Sequence, residues 1–295
     1  FHNEGSLRPI TFIAPPGSVV HPLYPATVGA APVNVGHQIA TAVHDALAKA
    51  RPNRVIAAWG KRRGDYVFAT DPRTGQPYIR TTFDYDGSAG ACTGHDGPTG
   101  PLSIGSLATV MRSNAEEMEM RFPWRLLKWE AVTDLMGAGR WRGGGGIEWQ
   151  ALNEGTDGRM ATGSSDGDMT PGSGVQGGCP SPASRTFVVR DGQPIRVKPH
   201  RMVEIKTGDI LAKISGGGGG VGFPFERPPE LVALDVKNEM VSVEAARKVY
   251  GVAVDPVTFA IDAPETRRLR SASPQSWDVV IDEQQLIVEL APHKA

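Results

Sequence analysis

The chain has 295 residues, with 31 Lys and Arg against 32 Asp and Glu, for a formal net charge of −1. That balance excludes a generally basic nucleic-acid binder, and a hydrophobic content of 40% excludes wholesale disorder. The 36 glycines and 24 prolines argue against a helix bundle and for a chain rich in turns.

The length allows one large domain or two ordinary ones. No apolar run approaches the roughly 18–20 residues that a membrane helix needs, and no secretory signal is visible, so neither a membrane nor a nucleic acid is expected as partner. Cys92 and Cys179 lack zinc-motif spacing and read as reduced thiols of a cytoplasmic protein. Residue 1 is Phe, which reads as a processed chain or part of a longer one.

In chain order, residues 8–20 suggest a short strand and a Pro/Gly turn. From Gly36 to Ala50 the period becomes helical, with Ile39, Val43, Ala46, Leu47 and Ala50 on one face. Pro52 ends that helix, and residues 53–60 read as a buried strand. Residues 61–101 are turn-rich, with a strand-like piece over 78–85. Residues 102–121 are helical and carry Glu116, Glu117 and Glu119, read as a solvated face. Strands follow over 126–132, 147–153 and 159–164, the last two as a pair about the turn at 155–158. A hairpin spans 185–198 around Asp191-Gly192, and two more strands flank Thr207-Gly-Asp209. Pro229 opens a helix. Ser242 caps a second that stops at Gly251, and a β-like stretch covers 279–290. The expected class is α+β: a β-rich, glycine-rich mixed architecture with a few helices. Its segments are 1–124 (mixed α/β), 125–222 (β-rich) and 223–295 (helical hairpin and tail).

The glycine runs 137–146 and 216–220 fail as nucleotide motifs. Neither is followed by Lys-Ser/Thr, and Val221-Gly-Phe-Pro does not open a helix. The seven histidines show no metal-ligand spacing. His95 and Asp96 are adjacent, so on a strand they point apart, while His37 and His44 could share one helix face. Arg140 and Arg142, in Gly139-Arg-Trp-Arg-Gly143, could clamp a carboxylate or phosphate or form structural ion pairs. Neither cysteine has an evident activating base. The residues alone give no self-sufficient active site, which points to part of something larger.

Several strings in order carry a resemblance: Asn3-Glu-Gly-Ser-Leu-Arg-Pro-Ile10, Ala14-Pro-Pro-Gly-Ser-Val-Val-His-Pro22, Asp134-Leu-Met-Gly-Ala-Gly-Arg-Trp-Arg-Gly143 with its glycine run, and Gly216 to Glu230 followed by Asp235-Val-Lys and Tyr250-Gly-Val252. Together they resemble the hydantoinase B/5-oxoprolinase family, which includes the large subunits of acetone and acetophenone carboxylases. The resemblance covers that family's C-terminal half, without the His/Asp motifs taken to bind its catalytic metal. It implies an ATP-dependent complex in which a hydantoinase A-like subunit holds ATP and phosphorylates a carbonyl oxygen of a small-molecule substrate. ATP and a divalent metal would be bound by other subunits or by the N-terminal half of the same subunit, and none by this chain alone. The glycine runs would allow close backbone approach and offer amides to anionic intermediates. Arg140 and Arg142 are then candidate anion contacts, and His95 and Asp96 candidate catalytic residues. Residues 61–85 look more like the ketone carboxylase branch, which joins ketone and bicarbonate to a 3-oxoacid. The alternatives are ATP-dependent hydrolysis of a hydantoin, lactam or 5-oxoproline, or a non-catalytic scaffold. Leu135 and Met136 depart from the family's Asp-Ser-Gly-Gly pattern and could line a pocket or fill core.

Overall fold

The computed structural model describes residues 5, 8–29, 31, 35–61, 64–81, 87–100, 114–162 and 166–271. The expected strand residues 82–85, the helical stretch 102–113 and the β-like stretch 279–290 lie outside them.

Two antiparallel sheets form an α+β fold. The first has four strands in the order β2-β1-β5-β8, from β1 (Tyr66–Thr70), β2 (Pro77–Thr81), β5 (Gly158–Ala161) and β8 (Met202–Ile205). The second has five in the order β3-β4-β9-β6-β7, from β3 (Trp124–Ala131), β4 (Ile147–Asn153), β6 (Arg185–Arg190), β7 (Gln193–Arg196) and β9 (Ile210–Ser215). The hairpin at 185–198 forms as expected. Asp191 and Gly192 take φ of 51° and 75°, the left-handed pair that a two-residue turn requires. The expected pairing of β4 with β5 does not form: β4 lies between β3 and β9, and β5 between β1 and β8. The turns at 155–158 and 207–209 are corners that carry the chain from one sheet to the other. Thr207 ties them together, its hydroxyl donating to the Gly155 carbonyl at 2.7 Å.

Alternation decides the packing. On β6, Val188 faces one core cluster while Phe187 and Val189 face another; on β9, Leu211 faces the first and Ile210, Ala212 and Ile214 the second. The first cluster unites both sheets through Val67, Trp124, Trp149, Met160, Ile205 and Leu211. It also buries charge. Lys213 of β9 bonds Asp65 in full burial, and the Arg80 guanidinium lies 4.6 Å and 4.8 Å from the Trp124 and Trp149 ring centroids, where the ring quadrupoles favour a cation.

The glycine run Gly216–Gly220 continues β9 into the interior but is not a strand. A strand bonds two neighbours in one plane; here the partner changes at each residue. Ser88 donates to the Gly216 carbonyl, Gly218 donates to Gly144 and accepts from Gly137, Gly219 donates to Ala58 and accepts from Ala91, and Gly220 donates to Cys179 and accepts from Val175. Gly216 and Gly219 both accept from the 88–91 segment, from the amides of Ser88 and Ala91. Packing backbones on several sides of one rod leaves no room for side chains. A Cβ on Gly218 would stand 1.8 Å from the Ala89 carbonyl oxygen, and one on Gly143 1.9 Å from that of Gly218. Of the expected buried strand 53–60, Asn53 and Arg54 are exposed in a 3₁₀ turn, and Val55 with Ala57–Gly60 is buried as one of the segments around this rod rather than as a ladder strand.

Helices among the described residues include α1 (His37–Ala48), α2 (Ala115–Arg121), α3 (Pro229–Lys237), α4 (Val243–Lys248) and α5 (Ala263–Ser271). Asn114 caps α2 through the Glu117 amide, and Ser242 caps α4 through the Ala245 amide. Glu117 pairs with Arg121 on the α2 surface, and Glu119 accepts from the Leu126 amide. Helices α3 and α4 pack Val232, Val236, Ala246 and Val249 with Met136, Ala138 and Cys179. Leu135 and Met136 are core residues, 1% and 6% exposed, so they fill interior rather than line a pocket.

Two expectations need correction. Residues 8–20 form no strand; a lone bridge between Ser18 and His21 closes a turn at Gly17. Helix α1 forms, but its aliphatic face is turned outward. Ile39, Val43 and Leu47 are 45–51% exposed, whereas His37 and Thr41 are buried. The helix meets the body through its small and polar residues, with His37 against the Trp59 ring at 5.3 Å and Ala48 against the cluster around Val55, Ala57 and Val221.

Candidate functional site

Four segments far apart in sequence converge on one charged cluster. Asp96 follows a tight turn in which Cys92 and His95 exchange both backbone bonds; the turn needs the left-handed Gly94, φ 97°. Arg142 lies where the chain leaves the Gly137–Gly139 packing. Arg227 follows the short 3₁₀ turn Pro224–Glu226, and Asp235 sits on α3.

Arg227 is the hub. Its two Nη atoms donate to the two Asp96 carboxylate oxygens, both at 2.8 Å. Its Nε donates to Asp235 Oδ2 at 3.0 Å, and Nη1 also reaches the Arg140 carbonyl at 3.1 Å. Arg142 closes the ring, its amide donating to Asp96 Oδ1 and its Nε to Asp235 Oδ1, each at 2.9 Å. Two guanidinium groups and two carboxylates thus alternate, with Arg227 and Asp235 only 2% and 6% exposed. Such forked, charge-assisted bonds are strong and geometrically specific. Arg270 of α5 donates to the Arg227 carbonyl at 2.6 Å and to that of Tyr250 at 3.3 Å, tying this helix to the cluster. Burial pushes the Tyr250 hydroxyl well above its ordinary range and the Cys179 thiol up to about 12, so neither ionises near neutrality.

Burial works to raise the Asp96 carboxyl, but the hydrogen bonds and charge of Arg227, with a smaller share from Arg142, hold it below the usual carboxylate range. A depressed carboxyl stabilises the fold above its unfolded pKa of about 3.9, and that contribution is lost as pH falls through the folded value. Asp96→Asn is therefore expected to lower stability at neutral pH and to flatten the acid limb below about pH 4, as read from denaturation midpoints between pH 2 and pH 7.

The four residues singled out from sequence divide in two. Asp96 and Arg142 are bound into the cluster, so the carboxylate is no free base and the guanidinium no open clamp. His95 and Arg140 are exposed on its rim, Arg140 with its guanidinium 4.8 Å from the Trp141 ring centroid. The expected offer of glycine amides to anions is also corrected. The amides of Gly137, Gly143, Gly144, Gly146, Gly218, Gly219 and Gly220 all donate to backbone carbonyls. Arg227 and Asp235 were not singled out, although both lie inside the strings that carry the resemblance.

The family model described as hydantoinase B/oxoprolinase matches residues 1–224. The chain belongs to this family. It is 29% identical over 266 residues to the caprolactamase subunit beta of Pseudomonas jessenii, covering 86% of this chain and 45% of that one. The solved structure of the ATP-dependent caprolactamase from Pseudomonas jessenii matches with a TM-score of 0.76 at 26% identity, covering 92% of this chain and 48% of that one. An acetone carboxylase, titled for ATP-dependent acetone carboxylation, shares the fold with a TM-score of 0.65 at 20% identity, over 76% of this chain and 34% of that one. The chain thus spans about half the length of the curated relatives it matches.

Among the described residues no three His, Cys, Asp or Glu side chains come together as metal ligands. No helix among them is long and apolar enough to cross a membrane.

Proposed function

We propose that this chain is part of a subunit of an ATP-dependent cyclic-amide hydrolase, acting in a cytoplasmic complex with a hydantoinase A-like ATP-binding subunit. The observation that carries the reading is the recurrence of caprolactamase in sequence, over 86% of the chain, and in structure, at a TM-score of 0.76. The acetone carboxylase likeness, at 20% identity, supports the fold alone. The ketone carboxylase favoured by residues 61–85 is therefore the reading to be tested against.

Amide resonance makes a lactam carbonyl a poor electrophile. Transfer of a phosphoryl group from ATP to the amide oxygen, in the partner subunit, leaves a carbon that water attacks. The ring nitrogen then departs as the amine, and a second water attacks the acyl carbon, so that the C–O bond breaks and phosphate leaves with the former amide oxygen, leaving an amino acid. In this scheme the Asp96–Arg142–Arg227–Asp235 cluster is a rigid wall of fixed charge, and His95 and Arg140 on its rim are the groups free to meet a substrate or partner. Arg140 suits an anionic intermediate, because a guanidinium pairs with phosphate in a forked geometry.

The test is ATP turnover by the native complex isolated through this chain. ADP release that requires a lactam or hydantoin, matches ring opening one to one and ignores bicarbonate is the expected result. Turnover that requires both a ketone and bicarbonate would overturn the hydrolase reading in favour of the carboxylase.

A further inference from the structure

The outward aliphatic stripe of α1 is at odds with the rest of the fold. At about 100° per residue, His37, Thr41, His44 and Ala48 share one face and Ile39, Val43 and Leu47 the opposite one. A surface helix ordinarily buries the aliphatic face; α1 buries the small and polar one. The preceding arm, residues 8–29, shows the same inversion. Ile10, Phe12, Ile13, Val19, Val20, Leu23, Tyr24 and Val28 are 46–99% exposed. Of the twenty-three exposed large apolar side chains among the described residues, eleven fall between Ile10 and Leu47. Isolated exposed apolar residues are ordinary, but a concentration of this kind marks an interaction surface. The arm carries one Arg, one His and no acidic residue, so its complement is apolar rather than charged.

We infer that the arm and the outer face of α1 are the docking surface for the polypeptide that corresponds to the unmatched part of the relatives' length, carried either on a separate chain or joined to this one. This chain spans 45% of the caprolactamase beta subunit and 48% of the solved caprolactamase chain. A second body of similar size therefore belongs to the same architecture, and the surface left bare here lies in one stretch of sequence. The occupant is that body, through an apolar face, rather than the ATP-binding subunit or a second copy of this chain. The inference rests on the proposed assembly but not on its reaction.

The test places the photo-reactive residue p-benzoylphenylalanine at Val43, and separately at Phe12, in the protein expressed in its own host. The cross-linked peptides are then identified by mass spectrometry. Both positions should capture the sequence that matches the part of the caprolactamase beta subunit left uncovered here, and the capture should persist in 1 M salt. Val43→Asp combined with Leu47→Asp should cut the yield of the Phe12 adduct at least tenfold. Capture of a second copy of this chain, capture of the ATP-binding subunit, or no adduct at either position would each overturn the inference. ATP turnover measured on the same preparation separates the two claims. Docking without lactam-dependent turnover would sink the proposed reaction alone, and turnover without these adducts would sink the docking surface alone.

Discussion

Gly218→Ala is expected to abolish the folded state. The added methyl group would stand 1.8 Å from the Ala89 carbonyl oxygen and 2.2 Å from its carbon, and both are backbone. Overpacking of an ordinary core costs about 1–3 kcal/mol because side chains can shift. Here the obstacle is a neighbouring segment that is itself pinned, since Ala91 donates to Gly219 and Gly144 donates to Ala89. Relief requires the whole bundle of backbones to spread, so the loss should exceed about 4 kcal/mol, a size reserved for disrupted cores. The readout is soluble yield and cooperative thermal melting. Gly36→Ala is the control, because a Cβ there meets nothing within 4 Å, and it should fold as well as the parent. A Gly218→Ala protein that melts like the parent would mean that the rod is not packed as described.

The second large effect is expected at Arg227. Replacing it by Met keeps much of the side-chain volume but leaves Asp235, 6% exposed, with one guanidinium instead of two, and strips both carboxylate bonds from Asp96. Breaking a buried pair from one side costs about 3–5 kcal/mol, which for a protein of this size corresponds to a melting shift of roughly 6–20 °C. Adding Asp235→Asn should restore part of the loss, because it removes the poorly compensated buried charge. Arg227→Lys should rescue little, because an ammonium cannot serve two carboxylates and the Arg140 carbonyl in one plane. Loss of melting temperature with no recovery in the double variant would show that Arg227 acts through packing rather than charge.

The parts of the fold legible in the sequence were those governed by local chemistry. Asp191-Gly192 specifies a two-residue turn wherever it occurs, Ser242 caps a helix from its own hydroxyl, and Pro229 and Gly251 mark a start and a stop. What the sequence did not disclose was partnership between distant segments. The strands at 147–153 and 158–161 look like a hairpin because a short turn joins them; only tertiary packing sends them to different sheets. The rule that aliphatic residues point inward puts Ile39, Val43 and Leu47 in the core, and the packing of His37 and Thr41 against the body reverses it. The glycine runs signalled close backbone approach correctly. Their amides were misjudged because nothing local shows that Ala58, Gly144 and Cys179 supply the acceptors. Of the charged cluster, Asp96 and Arg142 are named in the sequence for other roles, but pairing Arg227 with Asp96 across 131 residues leaves no trace in spacing or periodicity.

The central claim is that this family fold serves a complex that activates a cyclic amide by phosphorylating its oxygen, and oxygen bookkeeping tests it most directly. A lactam labelled with ¹⁸O in its carbonyl would be turned over with ATP by the native complex in unlabelled water. The account predicts that the label leaves in inorganic phosphate while the opened product carries two oxygens from water. Label retained in the product carboxylate, or no ring opening with ATP present, would contradict it.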